Sequence, residues 1–194
     1  MENESITGWV LLGGIVALLL YAIVIYNALV TLKHGVSKAW SNIDVLLRQR
    51  HDELPKLVET CKQYMEFERD TLEKVMQARS AAQTARESGD VKGVGKAETA
   101  MRMGLGQLFA VAEAYPELKA NESFQRLQAR ISGLEDAIAD RREFYNESVN
   151  ANNVRIEQFP DVIIAGMFNF KGADLLEFSE EDTKDVDVKS LFGS

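Results

Sequence analysis

Residues 5–32 carry no charged side chain, and this run constrains the fold more than anything else in the chain. Glu2 and Glu4 precede it and Lys33 follows it. At about 1.5 Å per residue, a helix through it reaches roughly 42 Å, beyond the roughly 30 Å of a bilayer's hydrocarbon core. A cleaved signal peptide needs basic residues first, a shorter apolar core and a small-x-small cleavage site. Here the leader is acidic, and Tyr26, Asn27 and Leu29 stand where small residues would be required. The run is therefore read as a permanent anchor, residues 1–33, its span marked by Ile6, Trp9, Leu20, Tyr26 and Leu32. A buried core helix is the competing reading, and the length argues against it. Lys33, Lys38, Arg48 and Arg50 follow the span and no cation precedes it. The positive-inside rule then puts the short amino terminus outside and the rest in the cytoplasm of a cell with a single-pass inner-membrane anchor. Trp9 and Tyr26 fit an aromatic belt, or pack against a neighbouring span.

Beyond the anchor the charge balance is acidic, with 22 Lys plus Arg against 30 Asp plus Glu and a formal net charge of -8. Nucleic acid needs a basic face to displace phosphate counterions, so it is not an expected partner. A single cysteine, Cys61, excludes an internal disulfide. Only three prolines, at 55, 116 and 160, interrupt the chain, which favours long helices.

Apolar residues recur at helical spacing throughout. Val36, Trp40, Ile43, Leu47 and Leu54 continue from the span, with Arg50 in the remaining stripe position. A second helix is expected from about Pro55 to Ser88, carrying Leu57, Cys61, Tyr64, Leu72, Val75, Ala78 and Ala82. Pro55 sits in its first turn, or marks a kink in one continuous helix. Ser88-Gly89-Asp90 ends it, and a third helix runs from about Val91 to Tyr115. Glycines 93, 95, 104 and 106 weaken that helix by ~1 kcal/mol each relative to alanine and let a neighbour approach closely. Asn121 then caps a fourth helix whose stripe runs Phe124, Leu127, Ile131, Leu134, Ile138, Arg141, Tyr145, Val149, Asn152 and Ile156. Alternating spacings of three and four favour shallow, coiled-coil-like packing. Arg141 either snorkels at the bundle end or meets an acid across the core. The architecture expected is all-α: one transmembrane helix, then an antiparallel up-and-down four-helix bundle over residues 34–158. Trp40 and Phe124 belong to its core. Residues 159–173 form an apolar segment that caps the bundle, lies in the membrane interface or meets a partner. Residues 174–194 are an acidic tail expected to be flexible by charge repulsion, with Phe178, Val188, Leu191 and Phe192 available to dock.

Catalytic constellations are missing. His34 and His51 do not have zinc-ligand spacing, and no Glu-x-x-His pair supports a di-metal centre. No metal or other cofactor is expected. His51-Asp52-Glu53 reads as an exposed polar turn. Gly93-Val94-Gly95-Lys96 departs from a phosphate loop, with Asp90 and Ala97 at the positions that need glycine and Ser or Thr. Cys61, on an apolar stripe, reads as core.

Several motifs fall in one order: Tyr26-Asn27-x-Leu29-Val30, Trp40-Ser41-Asn42-Ile43-Asp44-Val45, Leu54-Pro55-x-Leu57-Val58-Glu59-Thr60, Ala78-Arg79, Tyr115-Pro116-Glu117-Leu118-Lys119-Ala120-Asn121, Tyr145-Asn146 and Phe159-Pro160. In that order they resemble the LemA family of bacterial membrane proteins, nearly to residue 170. Asn150-Ala151-Asn152-Asn153 and Val186-Asp187-Val188-Lys189 depart from the family pattern. The resemblance implies one amino-terminal anchor, a cytosolic helical bundle and no known catalysis. It also implies a setting among membrane proteases, envelope stress or membrane shaping.

The leading expectation is a non-enzymatic scaffold at the bacterial inner membrane, working as a homo-oligomer against the lipid bilayer. Its candidate interaction residues are Tyr26, Asn27, Val162, Ile163, Ile164, Met167, Phe168 and Phe170. The alternative is an adaptor whose carboxyl-terminal segment recruits a membrane protease or sensor. An enzyme using the acidic residues is a third reading.

Overall fold

A computed structural model describes residues 2–178, with side chains from Thr7 onward. The described chain is all-helical: α1 (Glu2–Lys62), α2 (Arg69–Ser88), α3 (Val91–Ala112), α4 (Pro116–Lys119), α5 (Glu122–Glu157) and α6 (Asp161–Met167). It divides into two compact units, one made of the chain up to Ser41 with Phe144–Ala173, the other of Asn42–Glu143 with the segment from Asp174.

In the first unit, one stretch of α1 is long and apolar enough to cross a membrane. From Trp9 to Val24 its large side chains stand exposed. Burial begins at Ile25 and Leu29, which pack with Ala165 against Ile156, Ile164 and Phe170. Further along, Ala39, Tyr145 and Val149 are buried, and Trp40 lies against Tyr145 with ring centroids 5.4 Å apart. Trp40 itself is only half-buried, so it does not occupy the full core position expected of it.

The second unit holds the larger core. Leu54, Leu57 and Cys61 of α1, Leu72 and Val75 of α2, Met101, Leu105 and Leu108 of α3, Leu118 of α4, and Phe124 and Ile131 of α5 form one cluster. Each α5 member lies on the expected stripe. Arg141 is exposed, which agrees with the snorkelling alternative. Gly104 allows the close approach expected of the α3 glycines: a Cβ there would lie 3.2 Å from Val75 Cγ2.

Of the two readings of Pro55, the helix start fails and the continuous helix holds. α1 runs through Pro55 and stops at Lys62. Proline removes the N–H that would bond the carbonyl four residues earlier, which is that of His51. The Arg79 Nε–H of α2 donates to this same carbonyl at 3.0 Å. A tertiary contact thus replaces the lost helical bond. The true break, residues 63–68, contains neither Gly nor Pro. There Met65 is buried in the core, and the Asn121 side-chain amide donates to the Tyr64 hydroxyl at 3.1 Å.

The other breaks follow local chemistry. Gly89, at φ 70°, closes α2 in the left-handed conformation that glycine tolerates. Asp90 caps α3 by accepting from the Gly93 N–H at 2.9 Å. Asn121 Oδ1 accepts from the Ser123 and Phe124 N–H groups at 2.9 and 3.1 Å, as its capping role required.

Candidate functional site

The residues singled out for interaction gather around the inner end of the apolar run, because α6 folds back onto it. Pro160 stops α5, and α6 begins at Asp161. Asp161 is buried, and the Arg155 Nε–H donates to its carboxylate at 2.6 Å. Without that partner the burial of a carboxylate would be strongly unfavourable. The pair leaves Ile164 and Ala165 facing the span, with Phe170 in the same cluster. Tyr26 meets Phe168 at 4.7 Å between ring centroids and Phe170 at 5.8 Å. Tilted and edge-on aromatic pairs of this kind add about 0.5–1.5 kcal/mol beyond burial.

The expected set is therefore split in two. Ile164 and Phe170 are partly buried within the unit. Val162, Ile163, Met167 and Phe168 point outward, Met167 being 72% exposed, and Phe159 adds to the same apolar exposure. Tyr26 and Asn27 are also exposed, and the Asn27 carbonyl accepts from the Thr31 hydroxyl at 2.9 Å. Of the span markers, Trp9 and Leu20 are exposed and Leu32 is half-buried. Ile6 lies in α1, but its side chain falls outside the described set.

Sequence reasoning missed a buried ionic cluster in the second unit. Arg50 is 4% exposed and Glu98 3%. The Arg50 guanidinium donates to the Glu98 carboxylate, and its other terminal nitrogen lies 3.7 Å from Glu135 Oε1. Burial pulls the Arg50 pKa down to about 10, opposed by the Glu135 charge. Burial likewise raises the Glu135 carboxyl, and Arg50 opposes that shift. Glu135 Oε1 is buried without a hydrogen-bond partner. The signal was present in the sequence: Arg50 occupies a stripe position of α1, and Glu98 sits one turn from both Val94 and Met101 of the α3 stripe.

His51-Asp52-Glu53 is not the exposed turn expected. It lies inside α1, and Glu53 is buried between Arg130 at 3.0 Å and Lys56 at 3.2 Å. Burial, then Arg79, depresses the His51 pKa. Cys61 is fully buried and its thiol is pushed up to about 12 by desolvation, which leaves it little thiolate. The Gly93–Lys96 stretch is helical, and no strand precedes it among the described residues. Among those residues no three His, Cys, Asp or Glu side chains converge to hold a metal ion. Two open depressions of about 520 and 1210 Å³ share Phe67, which is almost fully exposed.

The carboxyl-terminal segment is built in as far as it is described. In the first unit the Asn153 side chain accepts from the Ala173 N–H and donates to the Ala173 carbonyl, both at 2.9 Å. In the second, Leu176 is buried, Arg142 lies 4.2 Å over the Phe178 ring, and Lys92 pairs with Asp174 at 3.0 Å. The backbone carbonyl of Glu177 sits where a Cβ on Gly95 would be. Val188, Leu191 and Phe192 lie outside the described residues.

A sequence model of the LemA family matches residues 39–190. The magnetosome protein MamQ 2 of Paramagnetospirillum magneticum is 24% identical over 197 residues, spanning 90% of this chain and 72% of that protein. MamQ of Magnetospirillum gryphiswaldense is 24% identical over 186 residues, spanning 84% and 68%. Protein LemA of Metamycoplasma hominis is 27% identical over 167 residues, spanning 85% and 74%.

Proposed function

This chain belongs to the LemA family, and on that premise we propose that it is a non-enzymatic, membrane-anchored scaffold that self-assembles at the bacterial inner membrane. The observation that carries this reading is the exposed apolar surface of the first unit. It runs along α1 from Trp9 to Val24 and continues on the outward face of α6. Contiguous apolar exposure of this extent marks a membrane or protein contact. The relatives' names point to an organelle or a family and not to a reaction.

The second unit serves as the cytoplasmic body. We read the α1 portion from Asn42, with α2, α3 and the α5 portion up to Glu143, as an antiparallel up-and-down four-helix bundle. The single core cluster to which all four helices contribute supports this, as do the short connections at Gly89 and Asn121. The cations that follow the span support an outside amino terminus and a cytoplasmic body.

Particle mass in mild detergent and in lipid discs tests the scaffold directly. A defined multi-subunit particle is expected. A monomer in several detergents and in discs would reject self-assembly.

One observation favours the adaptor as a second reading. Leu176 is buried and Phe178 lies under Arg142, so the chain is held on the body as far as Phe178. Truncation after Phe178 keeps that packing. Loss of capture of a membrane protease or sensor with particle mass unchanged would assign the tail to recruitment.

A further inference from the structure

We propose that α6 is a second membrane contact, lying in the lipid interfacial layer of the same leaflet that the inner end of the span reaches. The inference rests on the membrane-anchor reading of α1. Three observations carry it.

The first is depth. The helical rise from Thr7 to Tyr26 is about 29 Å, close to one hydrocarbon thickness of roughly 30 Å. Tyr26 therefore reaches the far boundary of the acyl region, and the Phe168 ring lies tilted against it with centroids 4.7 Å apart. This ring contact places the end of α6 at the headgroup–acyl boundary.

The second is charge. The one charged side chain within α6 is Asp161, and it is buried against Arg155. The outward face, formed by Val162, Ile163, Met167 and Phe168, presents no charge to its surroundings. An aqueous surface gives no reason to hide that carboxylate while leaving these side chains out.

The third is continuity. The uncharged run of α1 exceeds a hydrocarbon core by roughly 12 Å, and the excess is where protein contacts begin, at Ile25 and Leu29. The inward face of α6 covers that excess, and its outward face extends the lipid-facing surface sideways. Helices that lie in this boundary bury their apolar face about 5–10 Å into it.

The test uses the full chain in a Cys61→Ala background, reconstituted at low protein-to-lipid ratio into vesicles of phosphatidylcholine and phosphatidylglycerol. A polarity-sensitive fluorophore is placed separately at Ile163→Cys, Met167→Cys, Leu18→Cys and Gln107→Cys. Each vesicle carries lipid with a nitroxide either near the headgroup or at mid-chain, and helicity is checked for every labelled protein. Labels at 163 and 167 should be quenched more by the shallow nitroxide than by the deep one. The label at 18 should be quenched most by the deep nitroxide, and the label at 107 by neither. Unquenched, water-like emission at 163 and 167 with normal quenching at 18 would overturn the proposal and leave α6 in solvent. Blue-shifted emission at 163 and 167 without lipid quenching would overturn it in favour of a second copy covering α6. Absence of quenching at 18 would reject the anchor reading itself.

Discussion

Two stretches of one helix contrast most sharply in this molecule. Between Trp9 and Val24, α1 exposes nearly every Leu, Ile and Val it carries. Between Ile43 and Cys61 the same helix buries Ile43, Leu47, Leu54, Leu57 and Cys61 and leaves most of the polar residues between them exposed or half-buried, with Arg50 and Glu53 the buried exceptions. The outer stretch is apolar all round and shows no preferred face, as suits lipid. The inner stretch carries a stripe, as suits protein. The polar residues divide the same way. The outer stretch has none that is charged, whereas the inner one takes Arg50 into its buried stripe, where Glu98 of α3 pairs with it. A solvent of hydrocarbon excludes charge; a protein interior admits it when a partner is built in.

The largest effect expected from this contrast lies at Arg50. Arg50→Met leaves Glu98 buried and unpaired, and should lower stability by about 3–5 kcal/mol in chemical denaturation followed by circular dichroism. Arg50→Met with Glu98→Met should recover most of that loss, since an apolar pair of similar volume is often neutral or better. A double variant as weak as the single one would mean that the ionic cluster stabilises by itself.

Next, Leu54→Ala should cost about 2–5 kcal/mol in the same assay. Leu18→Ala should leave the unfolding of the helical body unchanged, because lipid replaces protein around it. Equal losses at the two positions would erase the distinction between the stretches.

A smaller effect should separate Arg79 from its partner. Arg79→Met orphans the His51 carbonyl and is expected to lose about 1–3 kcal/mol. Pro55→Ala restores the helical N–H, so in that background the penalty of Arg79→Met should shrink. Simple additivity of the two changes would show that the Arg79 contact does not compensate for the proline.

The smallest effect is pH-dependent. Burial raises the Glu135 pKa above its unfolded value, so the folded state keeps this proton to higher pH. Its ionised form therefore opposes folding above the folded pKa, and the opposition is relieved as pH falls through the window down to the unfolded value. Glu135→Gln should raise the melting midpoint slightly at neutral pH, with the advantage fading on acidification. A midpoint that drops at neutral pH would mean that the attraction to Arg50 outweighs desolvation.

Much of the fold was legible from residues acting on their own backbone. Gly89, Asp90 and Asn121 end or cap helices through a left-handed conformation or a side-chain bond within three residues. The α5 stripe from Phe124 to Val149 was readable because burial follows helical period. The site was legible only in part. The apolar segment near residue 165 stood out, but which of its side chains face the span depends on how α6 packs. Pro55 left two readings open, and the Arg79 bond to the His51 carbonyl, which accompanies the continuous helix, comes from a residue far away in sequence. The break at 63–68 carries no local mark because Met65 and Tyr64 are held by the core and by Asn121.

Sequence alone determined that this chain has an uncharged run long enough to cross a bilayer, that most of the described remainder is helical, and where Gly89, Asp90 and Asn121 end or cap helices. These properties depend on solvation and on backbone groups a few residues apart. Only the tertiary structure decided that α1 passes through Pro55, that Arg50 meets Glu98 and Glu135 inside the body, and that α6 turns one face to the span and the other outward. Each of those outcomes depends on partners far apart in sequence, brought together when burying apolar surface forces every polar group left inside to find one.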